Sequence, residues 1–66
     1  MDRMKIAGRL KAVRKGKYTQ VELGKKLGLS KSVISMYETG ERIPSDDIKV
    51  KYSQLFGVSV QALFFD

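Results

Sequence analysis

The sequence predicts an all-α fold, a compact five-helix arrangement, and three observations carry that prediction. Apolar residues recur three and four apart in consecutive segments, as they do along one face of a helix. Most of these segments open on Ser or Thr and close on Gly, residues that start and stop helices. Nothing alternates with period two for long enough to make a strand. The 66 residues are enough for one domain and lie near the lower limit for a single core without staples. Residues 1–66 are therefore expected to form a single domain, free of repeats, low-complexity tracts and linkers.

In the first segment Ile6, Leu10 and Val13 follow one another at helical spacing, with Arg9, Lys11, Arg14 and Lys15 on the other faces. This predicts a helix from roughly Asp2 to Lys15, closed by the turn Gly16-Lys17-Tyr18. Thr19-Gln20-Val21-Glu22 has the capping-box pattern, so a second helix starts there and runs to about Leu27, burying Leu23 and Leu27. Gly28 suits the left-handed residue after a helix C-terminus. Ser30 is the expected N-cap of a third helix that buries Ile34 and Tyr37 and ends at Thr39-Gly40. Beyond the loop Glu41-Arg42-Ile43-Pro44, Ser45 caps a fourth helix, and Asp46 and Asp47 put negative charge on its first turn. Its stripe is Ile48, Tyr52, Leu55 and Phe56, with Gly57 as the stop; Ser59 then caps a short fifth segment, Val60 to Phe65.

The middle two helices pose a question. Each is too short to stand alone in water, and glycines occupy positions 24 and 28, where better helix formers would normally stand. A close crossing at Gly24 and a tight turn at Gly28 answer it: with Leu23, Leu27, Leu29, Ile34 and Tyr37 filling the wedge, the two form a helix-turn-helix over about residues 19–38. Lys31, Ser32, Ser35 and Met36 then face outward on the third helix, with Val33 flanking. That mixture is a poor solvent face but suits the edges of base pairs.

Composition narrows the chemistry. The formal charge is +6 and the pI about 9.8, which points to a polyanion, nucleic acid ahead of anionic membrane. A charge of this size also serves plain solubility. There is no cysteine and no histidine. Disulfides, the usual zinc and copper sites and the usual catalytic base and nucleophile are thereby excluded, and no cofactor or small-molecule ligand is expected. No apolar run approaches the roughly 20 residues of a membrane span, and the start Met1–Lys5 is not followed by a signal-peptide core. A cytoplasmic location is expected. The Gly24-Lys25-Lys26-Leu27-Gly28 spacing imitates a membrane-dimer motif, but two lysines inside it rule that out.

Arg9-Leu10-Lys11 with Arg14, the run from Thr19 to Arg42, Ile43-Pro44-Ser45 and Phe56-Gly57-Val58-Ser59 together resemble the Cro/repressor-type helix-turn-helix family, also called XRE-like. Gln20, Gly24, Gly28, Ser30, Ile34, Glu38, Gly40 and Pro44-Ser45 all fall in its register. The resemblance implies a lambda-repressor-like five-helix domain that binds double-stranded operator DNA, usually as a symmetric dimer. It implies base contacts from Lys31, Ser32, Val33, Ser35 and Met36 in the third helix. Phosphate contacts would come from Gln20, Ser30, Thr39, Arg42 and Lys17, positioning the domain rather than specifying sequence. Arg14 and Glu38 occupy positions that the family often joins in a salt bridge, a structural role.

Three departures from the family pattern stand out. The turn Gly16-Lys17-Tyr18 is about one residue short. Lys49 stands where an aliphatic residue is usual, so either its stem runs along the core or the fourth helix is rotated. The chain ends Leu63-Phe64-Phe65-Asp66, no second domain is expected, and so small a bundle is not expected to cover both phenylalanines. A homodimer built on Val60, Gln61, Phe64 and Phe65, joined by Ile43 or Pro44, is the expectation. The function expected is a transcriptional regulator, bacterial or phage, and a repressor ahead of an activator, which the same fold also serves. The competing class is a protein-interaction module such as an antitoxin, which would need a toxin-binding tail; an enzyme has almost no support.

Overall fold

Helix by helix, capping residues set the architecture of residues 2–65, which the computed structural model describes. α1 spans Arg3–Lys15, and the Asp2 carboxylate caps it by accepting from the backbone N–H groups of Met4 (2.9 Å) and Lys5 (3.3 Å). α2 is Gln20–Leu27 with the capping box complete. The Thr19 hydroxyl accepts from the Glu22 N–H (3.1 Å), and the Glu22 carboxylate accepts from the Thr19 N–H (2.8 Å). α3, Lys31–Thr39, and α4, Asp46–Phe56, begin on Ser30 and Ser45. α5, Gln61–Phe65, is wound as a wide π-type turn, with the Ser59 hydroxyl accepting from the Ala62 N–H (3.0 Å). A wider turn brings successive side chains closer in direction, and Leu63 and Phe64 both point inward, each 1% exposed.

One core joins all five elements. Ile6 and Leu10 of α1, Leu23 and Leu27 of α2, Ile34 and Tyr37 of α3, Tyr52 and Phe56 of α4, and Leu63 and Phe64 of α5 pack together. Each such side chain withdrawn from water contributes about 1.5–3 kcal/mol. Tyr52 is the hub. Its ring stacks on Phe56 and meets Tyr37 and Phe64 edge-on at 6.4 and 6.1 Å.

Two expectations are corrected on this side of the molecule. Phe64 belongs to the core of its own chain and offers nothing to a partner; Pro44 is buried as well. Phe65 remains about half exposed (49%). The inward face of α4 is also turned from the expected stripe: Lys49, Tyr52 and Phe56 are buried, while Ile48 and Leu55 sit at the edge. Lys49 keeps its stem inside, and its ammonium lies 3.7 Å from the Asp46 carboxylate and 4.8 Å from the Phe65 ring centre. A long cationic side chain can cover apolar surface while its head stays near water, which is how a lysine fills this position.

The turn between α2 and α3 explains its two glycines. Gly28 adopts φ 72°, ψ 33°, the left-handed conformation that favours glycine. At Gly24 the close neighbour is the turn rather than the facing helix. A Cβ there would stand 2.5 Å from the Leu29 carbonyl oxygen, while the Leu29 N–H donates to the Gly24 carbonyl (2.8 Å). No helix among the described residues is long and apolar enough to cross a membrane.

Candidate nucleic-acid interface

The alternation of α3 decides which side chains it displays. Ile34, Tyr37 and Glu38 turn inward, and Lys31 and Ser32 lie on the outside at its N-terminal end. Ser35 and Met36 are half-buried further along the same helix. Val33 is half-buried too and packs against the edge of the core, so only part of its surface is available. The Ser30 hydroxyl accepts from the Val33 N–H (3.3 Å) and thus works as a cap while remaining exposed.

Beside this face, the α1–α2 turn and the N-terminus of α2 form an open cleft of about 630 Å³, edged by Lys15, Lys17, Gln20 and Lys31. Lys15, Lys17 and Lys31 outnumber the Glu22 carboxylate that also lines it, and the N-terminus of α2 adds partial positive charge, so the cleft is electropositive. Lys15 is an addition to the residues expected from sequence. Its signal was its place in the last turn of α1, directly before the turn that builds the cleft. Val21, 48% exposed, also lines it. The short turn causes no disruption: the Lys17 and Tyr18 N–H groups both donate to the Arg14 carbonyl (2.9 and 2.8 Å).

Beneath the cleft, Arg14 and Glu38 form a two-pronged ion pair. Arg14 Nε donates to Glu38 Oε2 (2.8 Å), and Nη2 donates to Oε1 (2.7 Å). The Glu38 side chain is 2% exposed. Burial pushes its carboxyl upward, but hydrogen bonds from Arg14 and Gln20, with the charges of Arg14 and Lys11, outweigh this and hold it below its usual value. The same bond to Glu38 raises Arg14 further, against the effect of burial. Arg14 Nη1 also donates to the Tyr18 carbonyl (3.3 Å), tying the turn to the pair. Gln20 is only half exposed, because its amide turns inward to donate to Glu38 Oε1 (3.2 Å).

Thr39 at the end of α3 and Arg42 in the loop that follows are both exposed. The Thr39 hydroxyl lies 2.9 Å from Glu41 Oε1 and 3.2 Å from the Met36 carbonyl, with one proton to share between them. Glu41 therefore puts a negative charge next to a residue expected to meet phosphate, a neighbour that sequence reasoning did not weigh. Among the described residues no cluster of His, Cys, Asp and Glu could hold a metal ion.

Comparison with known proteins places this geometry. A helix-turn-helix family model matches residues 10–63. An uncharacterized HTH-type transcriptional regulator of Methanocaldococcus jannaschii is 39% identical over 46 residues, 70% of each chain. The crystal structure of the P22 c2 repressor in complex with a synthetic operator superposes with a TM-score of 0.84 at 32% identity. That match covers 92% of this chain and 96% of the repressor chain.

Proposed function

The chain belongs to the Cro/repressor-type helix-turn-helix family and is a DNA-binding transcriptional regulator, and from that premise we propose that it acts as a repressor, by covering promoter DNA in the cytoplasm. The observation that carries this reading is the outward edge of α3, displayed beside a cationic cleft on a capped and glycine-relieved turn. α3 enters the major groove. Lys31 and Ser32 reach base edges from its first turn: lysine donates to guanine O6 and N7, and serine to several bases. Ser35, Met36 and the exposed part of Val33 complete the reading surface, the apolar groups packing on thymine methyls. Gln20, Ser30, Lys17, Thr39 and Arg42 hold the phosphates on either side.

The reading extends to a homodimer. Val60, Gln61, Phe65 and Ile43 form its seam, and two copies of α3 about 34 Å apart meet successive turns of a pseudo-palindrome. If six to ten phosphates are neutralised per dimer, affinity falls about 10³–10⁵-fold between 50 and 200 mM salt.

Selection of bound duplexes from a random pool tests the whole reading. A two-fold motif with half-sites one helical turn apart is expected; recovery of unenriched sequence contradicts it. On the selected site, Lys31→Ala should relax specificity at about one base pair per half-site, whereas Arg42→Ala should weaken all sequences alike. Uniform loss for Lys31→Ala removes its assigned role. Sedimentation showing monomer alone, with and without DNA, removes the dimer.

A further inference from the structure

The buried carboxylate of Glu38 does more than pair with Arg14. Its Oε1 receives two donors, Arg14 Nη2 and Gln20 Nε2. We propose that Glu38 is a positioning residue for DNA binding: it fixes the Gln20 amide so that nitrogen, rather than oxygen, is ready to meet a phosphate. The proposal rests on the reading that Gln20 contacts phosphate.

An ionised carboxylate only accepts, whereas a glutamine amide carries two N–H donors on one side and an accepting oxygen on the other. Nothing in a free glutamine decides which side faces a neighbour. Against Glu38 only the nitrogen side is permitted, so the amide cannot flip. One Nε2 proton is held by Glu38, and the second is left for the cleft that Gln20 lines with Lys17 and Lys31. A phosphate arriving there needs donors and is repelled by an amide oxygen. Freed from Glu38, the side chain would sample several rotamers and both orientations, and that freedom would have to be lost on binding.

The carboxylate is itself held. Arg14 grips both of its oxygens and donates from Nη1 to the Tyr18 carbonyl, just before the cap of α2. One buried anion on α3 thus references the end of α1, the start of α2 and the Gln20 side chain to the helix that enters the groove. Displacement of α2 against α3 would carry Gln20 away from Glu38. The phosphate contact and the orientation of α3 are therefore set together.

A double change separates this role from simple support of the fold. Arg14→Met with Glu38→Met removes one cation and one anion, leaving net charge and long-range attraction to DNA unaltered. Exchange of a buried ion pair for apolar side chains is commonly tolerated by folds. The probe is a labelled random-sequence duplex at low salt, where phosphate contacts dominate. Gln20→Ala should weaken binding about ten- to a hundredfold, the effect of one hydrogen bond to a charged group. The Met pair should lose about as much, and the triple variant no more than either. Losses that multiply in the triple variant, or a Met pair that binds like the unaltered protein, overturn the positioning role and leave the Gln20 contact standing. A harmless Gln20→Ala removes the contact itself and the proposal with it. The unaltered protein gives a reading that does not depend on how the variants fold. In its NMR spectrum one Gln20 Nε2 proton should stay protected from exchange while the other shifts on addition of the duplex. Two equivalent, fast-exchanging protons overturn the proposal.

Discussion

Gly24→Ala sets helix propensity against the geometry of the turn, and the structure says which should win. Alanine is favoured over glycine inside a helix by about 1 kcal/mol. Against that, the new Cβ would stand 2.5 Å from the Leu29 carbonyl oxygen, about 1 Å inside the ~3.5 Å of an ordinary contact. The oxygen belongs to backbone, so relief requires moving the link between α2 and α3. Overpacking of this kind costs about 1–3 kcal/mol. The Leu29 N–H bond to the Gly24 carbonyl (2.8 Å) is strained by the same movement, at about 1 kcal/mol more. The net expectation is a loss of about 1–3 kcal/mol, a fall in melting temperature of about 5–20 °C for a domain of this size. Thermal unfolding followed by circular dichroism measures it. Gly28→Ala is the control: it meets open space and suffers only from φ 72°, a penalty of about 1–2 kcal/mol. Only the Gly24 variant should also lose DNA affinity at temperatures where it is fully folded, because it alone spreads the helices. Melting of Gly24→Ala at or above the unaltered protein would refute the close-approach account.

Three further expectations concern groups around the core and the interface. The hydroxyl of Tyr52 is buried without a hydrogen-bond partner among the described residues, and burial, aided by Glu38 and Tyr37, pushes it up and keeps it neutral; Tyr52→Phe should therefore be neutral or stabilising by up to about 2 kcal/mol, and chemical denaturation showing a loss beyond 1 kcal/mol would contradict this. Glu38 is held below its usual value of 4.5, so its contribution is fully present above that value and fades as pH falls through the lower folded-state value; melting temperatures should drop on acidification below pH 4.5, and the Arg14→Met, Glu38→Met pair should show a shallower drop. Glu41→Gln removes the anion beside Thr39 and should tighten binding about two- to fivefold on all sequences, less so as salt rises; tightening confined to one sequence would assign Glu41 a different part.

Much of the site was legible because helix ends are written locally. Thr19, Ser30 and Ser45 each cap the helix that follows, since a cap needs only a side-chain oxygen and a backbone N–H a few residues away. Spacing on α3 was enough to separate Ile34 and Tyr37 from Lys31 and Ser32. What escaped involved contacts across the chain. The inward turn of Gln20 depends on Glu38, 18 residues on, and the electropositive cleft on Lys15 and Lys31 from different helices. Phe64 and Phe65 are chemically identical, so no pattern could say which one the core takes.

The sequence by itself determined the helices, their caps and the family, because hydrogen bonds within one turn and the spacing of apolar residues need no distant partner. Tertiary structure alone decided the rest: α4 rolls until Lys49 covers the core, the Leu29 carbonyl rather than a facing helix makes Gly24 obligatory, and Phe64 is taken inside while Phe65 stays half exposed. These outcomes turn on the close packing of five short elements, where a small rotation of one helix changes the surroundings of every residue it carries.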